Sequence, residues 1–155
     1  MAMTETTVRK SVTVDVPVER AFRVFTDQID AWWIRAHHIG SADLERVVLE
    51  PRAGGRWYEI GVDGSECDWG RVVEWEPPGR LVIGWQISSS WQYDPELLTR
   101  VEVRFVALGP DRTRVDLEHR DLDRFGDAEV QMRAGFDSEG GWQGLLERFA
   151  AQAAQ

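Results

Sequence analysis

The sequence predicts an α+β domain in which a curved antiparallel sheet wraps around a long C-terminal helix, with two short helices after the first strand. Three observations carry that expectation. Trp142, Leu145, Leu146, Phe149, Ala150 and Ala153 fall at i, i+3, i+4, i+7, i+8 and i+11, one apolar stripe along a helix within residues 137–155. Upstream, apolar runs are separated by short Gly, Pro and Asp turns, the pattern of strands joined by hairpins. The stripe is wide and headed by an indole, so it must lie against an equally apolar surface, which the concave face of a sheet supplies.

Taken in order, residues 1–6 read as a loose terminus. Residues 8–16 alternate, with Val12, Val14 and Val16 on one face and Ser11, Thr13 and Asp15 on the other, a half-buried strand. Pro17 opens a helix at its first position, where its missing N–H costs nothing. Val18, Ala21, Phe22 and Phe25 form the buried stripe of that helix, and Thr26-Asp27 ends it. Residues 29–34 make a further short helical turn carrying Trp32-Trp33, and 35–40 read as a loop. Six strands follow at 44–50, 56–61, 66–76, 81–88, 98–108 and 113–120. Their breaks are Pro51 with Gly54-Gly55, Asp63-Gly64, Pro77-Pro78-Gly79, the polar stretch 88–95, and 109–112. A short helix is expected at 127–134, then the terminal helix, with Asp137 or Ser138 as its N-cap.

The totals fit one domain over residues 1–155, with no internal repeat or linker. No run reaches the ~18 apolar residues of a membrane span, and the N-terminus has no apolar signal core. A single cysteine, Cys67, allows no internal disulfide, so the cytoplasm is the expected compartment. A net charge of −9 opposes non-specific binding of nucleic acid. Trp is the unusual residue, with eight copies. Two readings stay open: a tryptophan-rich core, or a cavity lined by indoles.

Specific residue sets then resemble a known family. They are Val16-Pro17-Val18-Glu19-Arg20-Ala21-Phe22, the pair Trp32-Trp33, and Pro51-Arg52-Ala53-Gly54-Gly55-Arg56-Trp57. Gly70-Arg71-Val72-Val73-Glu74-Trp75-Glu76-Pro77-Pro78-Gly79-Arg80-Leu81, Trp85, Thr113 to His119 and Gly141-Trp142 with Leu145-Leu146 complete the set. In this order, over residues 8–153, they resemble the helix-grip superfamily, also called SRPBCC or START-like, which includes the birch-pollen allergen and polyketide cyclases. Within it the chain looks like the bacterial branch of Aha-type homologues of the activator of the heat-shock-protein ATPase. The resemblance implies a hydrophobic cavity between sheet and terminal helix that takes lipids, sterols, polyketides or other apolar molecules. It does not fix the ligand or the chemistry. The eukaryotic activator uses a separate chaperone-binding domain, for which 155 residues are expected to leave no room, so co-chaperone activity is not carried over.

Individual residues sharpen this. His119 shares the apolar face of its strand with Thr113, Val115 and Leu117 and should point inward, as a general base, a ligand contact or simply a paired structural histidine. If Trp57 faces the cavity, a period of two brings Glu59 beside it; the opposite parity leaves Glu59 solvated. The parity of Glu66-Cys67-Asp68-Trp69 is equally open. Cys67 lacks any surrounding motif that would lower its pKa and reads as a small buried side chain. His37-His38 diverge, and no metal-ligand spacing or phosphate loop is present, so neither metal nor cofactor is expected.

The leading expectation is a protein that binds a hydrophobic or aromatic small molecule. Its cavity would be lined by Trp33, Trp57, Trp69, Trp85, Phe105 and Trp142, with Glu59, Asp68 and His119 orienting polar groups of the ligand. One alternative is a cyclase- or hydrolase-type enzyme using the same cavity, with Glu59 or His119 as acid–base groups. Another is an interaction protein, a chaperone partner for instance, using its acidic surface or the loop bearing Trp91 and Tyr93. Monomer and homodimer both remain open.

Overall fold

In the computed structural model, which describes residues 7–155, seven strands form one antiparallel sheet. The loose terminus expected at 1–6 lies outside the described residues. The strands are β1 (Val8–Val14), β2 (Leu44–Leu49), β3 (Arg56–Gly61), β4 (Glu66–Glu76), β5 (Arg80–Trp85), β6 (Thr99–Gly109) and β7 (Arg112–Arg120). Their order across the sheet is β1-β7-β6-β5-β4-β3-β2, so β2 to β7 step along by hairpins and β1 closes onto the last strand. Helix α1 (Val18–Thr26), preceded by Pro17 just outside it, and the single turn α2 (Ile29–Trp32) connect β1 to β2.

The sheet curls because β4 serves two partners in succession. Its first half pairs with β3 up to Arg71, and its second half pairs with β5 from Val72 onward. Bulges at Trp57/Tyr58 and Val72/Glu74 flank the switch, and bulges bend the strands that carry them. Gly70 is required there: a Cβ would sit 1.7 Å from the Gly84 carbonyl oxygen. The fifth strand stops at Trp85, short of the expected residue 88, and a lone bridge between Ile87 and Tyr93 continues it.

Inward residues alternate along the strands and are buried: Leu81, Ile83 and Trp85 on β5, Val101, Val103 and Phe105 on β6, Val115, Leu117 and His119 on β7. The outer face is covered by charge. Glu102 is buried there among Arg80, Arg104 and Arg120. Burial pushes its carboxyl up, but hydrogen bonds from Arg80 and Arg120 prevail and hold it below the usual range.

The C-terminal region departs from one long helix. A 3₁₀ segment (Leu122–Ala128) leads into α3 (Glu129–Asp137), a π turn follows at Glu139–Gln143, and α4 spans Gly144–Ala153. Asp137 closes α3, where it pairs with Lys10. Ser138 is extended, and its hydroxyl donates back to the Gly135 carbonyl, capping the end of α3 instead of the start of α4. Gly141 sits where a Cβ would approach that same carbonyl oxygen to 2.4 Å. The apolar stripe survives the break: Trp142, Leu145, Leu146, Phe149 and Ala153 are all buried against the sheet and the first helices.

Candidate functional site

The core divides into two aromatic neighbourhoods. In one, Phe105 of β6 lies edge-on to Phe22 and Phe25 of α1, and Phe25 meets Phe149 of α4. Phe105 was expected to line a cavity with the tryptophans; the structure places it in this phenylalanine packing instead.

The other neighbourhood holds the tryptophans. Rings of Trp33, Trp57, Trp85 and Trp142 form a closed circuit, with centroid distances of 5.9 Å (33–57), 5.7 Å (57–85), 5.9 Å (85–142) and 6.3 Å (142–33). Trp69 adds to it, 5.0 Å from Trp33 and 5.3 Å from Trp57. These rings come from β3, β4, β5, the loop after α2 and the π turn. Phe136 of α3 packs at the Trp85 edge of the cluster, 5.1 Å from Trp85 and 4.3 Å from the His119 ring. Hollows of about 320 and 500 Å³ lie elsewhere. One is on the outer face between Arg9 and Arg104, the other between β1 and α3. Neither is lined by the tryptophans.

His119 is wholly buried with both nitrogens engaged. Trp142 Nε1–H donates to Nδ1 at 3.1 Å, and since an indole N–H can only donate, Nδ1 carries no proton. The neutral ring therefore bears its proton on Nε2, which donates to Thr99 Oγ1 at 2.8 Å. The Thr99 hydroxyl in turn donates to the Trp85 carbonyl at 2.9 Å. Burial, opposed by the charge of Asp121, pushes the imidazole pKa down to about 3. This is a completed relay holding Trp142 to β5 and β6, with no lone pair left for a substrate proton.

Glu59 faces inward with Trp57, which settles the parity left open above. Its Oε1 accepts from Ile39 N–H at 2.6 Å and Trp69 Nε1–H at 2.8 Å, and Oε2 from Gly40 N–H at 3.1 Å. Three donors on one buried carboxyl fasten the loop after α2 to β3 and β4. Cys67 is beside it, half-buried, and burial and the Glu59 charge raise its pKa, so the thiol is not activated. Asp68, expected in the cavity, lies on the opposite face. The bulge pairs Tyr58 with Asp68 and Trp57 with Gly70, leaving Trp69 as the extra inward residue, and Asp68 is held outside by Arg56 at 2.8 Å.

Against this background two polar atoms stand out. Trp32, Trp33, Trp69 and Trp142 donate to Val24 O, His37 O, Glu59 and His119. The indole N–H groups of Trp57 and Trp85, equally buried, have no acceptor within the protein. Each costs roughly 1–3 kcal/mol in lost hydration. No sequence pattern distinguishes these two from the other indoles. Phe136 and Thr99 also escaped the sequence reading: the helix carrying Phe136 was expected to stop at 134, and Thr99 looked like an ordinary strand residue. Among the described residues no group of three or more His, Cys, Asp or Glu is placed to hold a metal. No helix there is long and apolar enough to cross a membrane.

No curated protein matches the chain. Among solved structures, the anthrahydroquino-γ-pyrone synthase Txn09 is 39% identical over 98% of this chain and 99% of that one, with a TM-score of 0.67. The self-sacrificing resistance protein CalC from Micromonospora echinospora is 33% identical over 95% and 93%, with a TM-score of 0.71. The Aha1 dimer from Colwellia psychrerythraea, at 12% identity, 97% coverage of both chains and TM-score 0.63, shares the fold alone. The model of the activator of Hsp90 ATPase homolog 1-like family matches residues 15–154. The seven-stranded antiparallel sheet curled against the C-terminal helices is a helix-grip fold, and the chain belongs to the activator of Hsp90 ATPase homolog 1-like family.

Proposed function

We propose that this protein binds a flat, oxygenated aromatic small molecule among its tryptophans. The observation that carries the reading is the contiguous cluster of five buried indoles, Trp33, Trp57, Trp69, Trp85 and Trp142, with Phe136 against Trp85 at its edge. Indole faces stack on planar ligands and exclude water, while offering N–H donors at their edges. The likeness to a synthase named for an anthrahydroquino-γ-pyrone supports the choice of planar, oxygen-bearing rings over sterols and lipids.

Binding exchanges ring–ring contacts for ring–ligand contacts, so a ring at the edge of the cluster must yield. Phe136 rides on α3, whose remaining side chains are mostly exposed and whose ends are Gly126 (φ +61°) and the Gly140-Gly141 turn. A segment of this kind shifts at lower cost than a strand of the sheet.

A second reading, ring-closing catalysis, is favoured by the same 39% identity. His119 and Glu59 already have their hydrogen-bonding atoms engaged by protein groups, so such catalysis would rest on folding the substrate against the indoles and on N–H donation to its oxygens.

The test is a thermal-shift panel of hydroxylated anthraquinones, flavones, sterols and fatty acids, with hits followed by tryptophan quenching. Planar oxygenated aromatics should raise the melting temperature and quench saturably. Stabilisation by fatty acids or sterols alone would overturn the ligand class, and a panel without any response would overturn the site.

A further inference from the structure

We infer that Trp57 and Trp85 are the specificity-determining donors of this site, their two indole N–H groups reading a neutral carbonyl oxygen on the ligand's ring system. The inference rests on the proposed aromatic site and adds what that site selects.

Six tryptophans are buried, and the four that donate to protein acceptors do so across different parts of the core. The two that do not are neighbours, with ring centroids 5.7 Å apart. Both are rooted in the sheet, Trp57 on β3 opposite Gly70 and Trp85 on β5 directly after Gly84. A Cβ on Gly70 would sit 1.7 Å from the Gly84 carbonyl oxygen, so β4, the strand paired with Trp57, and β5, which carries Trp85, approach closely at this corner of the sheet. Native interiors leave few polar atoms unpaired, and a pair side by side in a ligand-sized aromatic cluster points to a shared acceptor.

The chemistry of that acceptor follows from the surroundings. An indole N–H only donates, so an ammonium or other donor group on the ligand finds no partner there. The aromatic neighbours of Trp57 and Trp85 are Trp33, Trp69, Trp142, His119 and Phe136, and none of these is a fixed cation that would favour a carboxylate or phosphate. His119 is neutral with both nitrogens committed. A quinone or γ-pyrone carbonyl meets these terms: an uncharged, acceptor-only oxygen in the plane of a flat ring system.

Chromone and naphthalene make a matched pair of flat bicycles, of which only chromone carries a γ-pyrone carbonyl. The experiment titrates both into the ¹⁵N-tryptophan-labelled protein and follows the eight indole resonances, assigning two of them with Trp57→Phe and Trp85→Phe. Chromone should bind about tenfold more tightly than naphthalene, the worth of one net hydrogen bond. It should also move the Trp57 and Trp85 N–H resonances downfield, while naphthalene shifts them only slightly. Either substitution should cut the preference to about threefold or less, whereas Trp33→Phe, which removes an already paired N–H, weakens both ligands equally. Should the variants fail to fold, the wild-type affinities for chromone and naphthalene decide by themselves. Equal affinity for the two bicycles, with those resonances unmoved, overturns the donor role and leaves the aromatic site standing. Failure of both bicycles to perturb any clustered indole overturns the site as well.

Discussion

Acidification should unlock the tryptophan cluster through His119. The imidazole has a folded-state pKa of about 3, against an ordinary value of 6.5. A histidine depressed in this way is neutral in the fold and charged in the unfolded chain between those two values. The unfolded state therefore binds the extra proton, and stability falls as pH drops from about 6.5 toward 3. At ~1.4 kcal/mol per pH unit, the loss between pH 6.5 and 5 is roughly 1.5–2 kcal/mol, before most carboxylates titrate. The full loss by pH 3 is on the order of 4 kcal/mol, a large share of the ~5–15 kcal/mol that holds a domain together. The structural reason is specific: a proton on Nδ1 turns the acceptor of the Trp142 N–H into a second donor. His119→Gln offers an amide oxygen to Trp142 and an amide N–H to Thr99 but cannot titrate. Urea unfolding followed by tryptophan fluorescence at pH 7, 6 and 5 gives the comparison. Wild type should lose roughly 1.5–2 kcal/mol more than the variant across that window. Parallel pH slopes for the two proteins would refute the relay as drawn.

Three further outcomes are expected. Glu59→Ala strands the Ile39 and Gly40 amides and the Trp69 indole, and should cost about 3 kcal/mol in urea denaturation; a variant as stable as wild type would mean that those donors find other partners. Gly70→Ala drives a methyl into the Gly84 carbonyl and should cost about 3 kcal/mol or more, read as a lowered melting temperature or loss of soluble protein, where an unchanged melting temperature would show that the corner relaxes freely. Trp91 is 55% exposed with φ of +61°, so Trp91→Gly should keep or raise stability by up to ~1 kcal/mol, and a clear loss would show that its ring makes contacts worth the strain.

The legible parts of the site are those where the period of two runs unbroken. From Thr113 to His119, β7 pairs residue for residue with β1 and β6, so the inward placement of His119 follows from its apolar neighbours alone. Asp68 was illegible for the converse reason. A bulge inserts Trp69 as an additional inward residue and puts Asp68 outside, and no alternation rule reveals a bulge. At the C-terminus the helical spacing of Trp142 with Leu145 and Phe149 persists although the backbone breaks before it, since the π turn keeps the indole on the buried side. The sequence stripe therefore located the right residues on too long a helix. Whether a polar group is partnered depends on residues distant in the chain. Glu59 and His119 attracted attention as isolated polar residues, yet the unpaired donors belong to two tryptophans that look like any others.

The most direct measurement of the aromatic site is a set of isotope-filtered nuclear Overhauser contacts from bound chromone to the labelled protein. Contacts to Trp57, Trp85 and Trp142, with Phe136 displaced from His119, are the predicted result. Contacts confined to Ser11 and Arg104 in the outer groove, with the tryptophan circuit undisturbed, would contradict it.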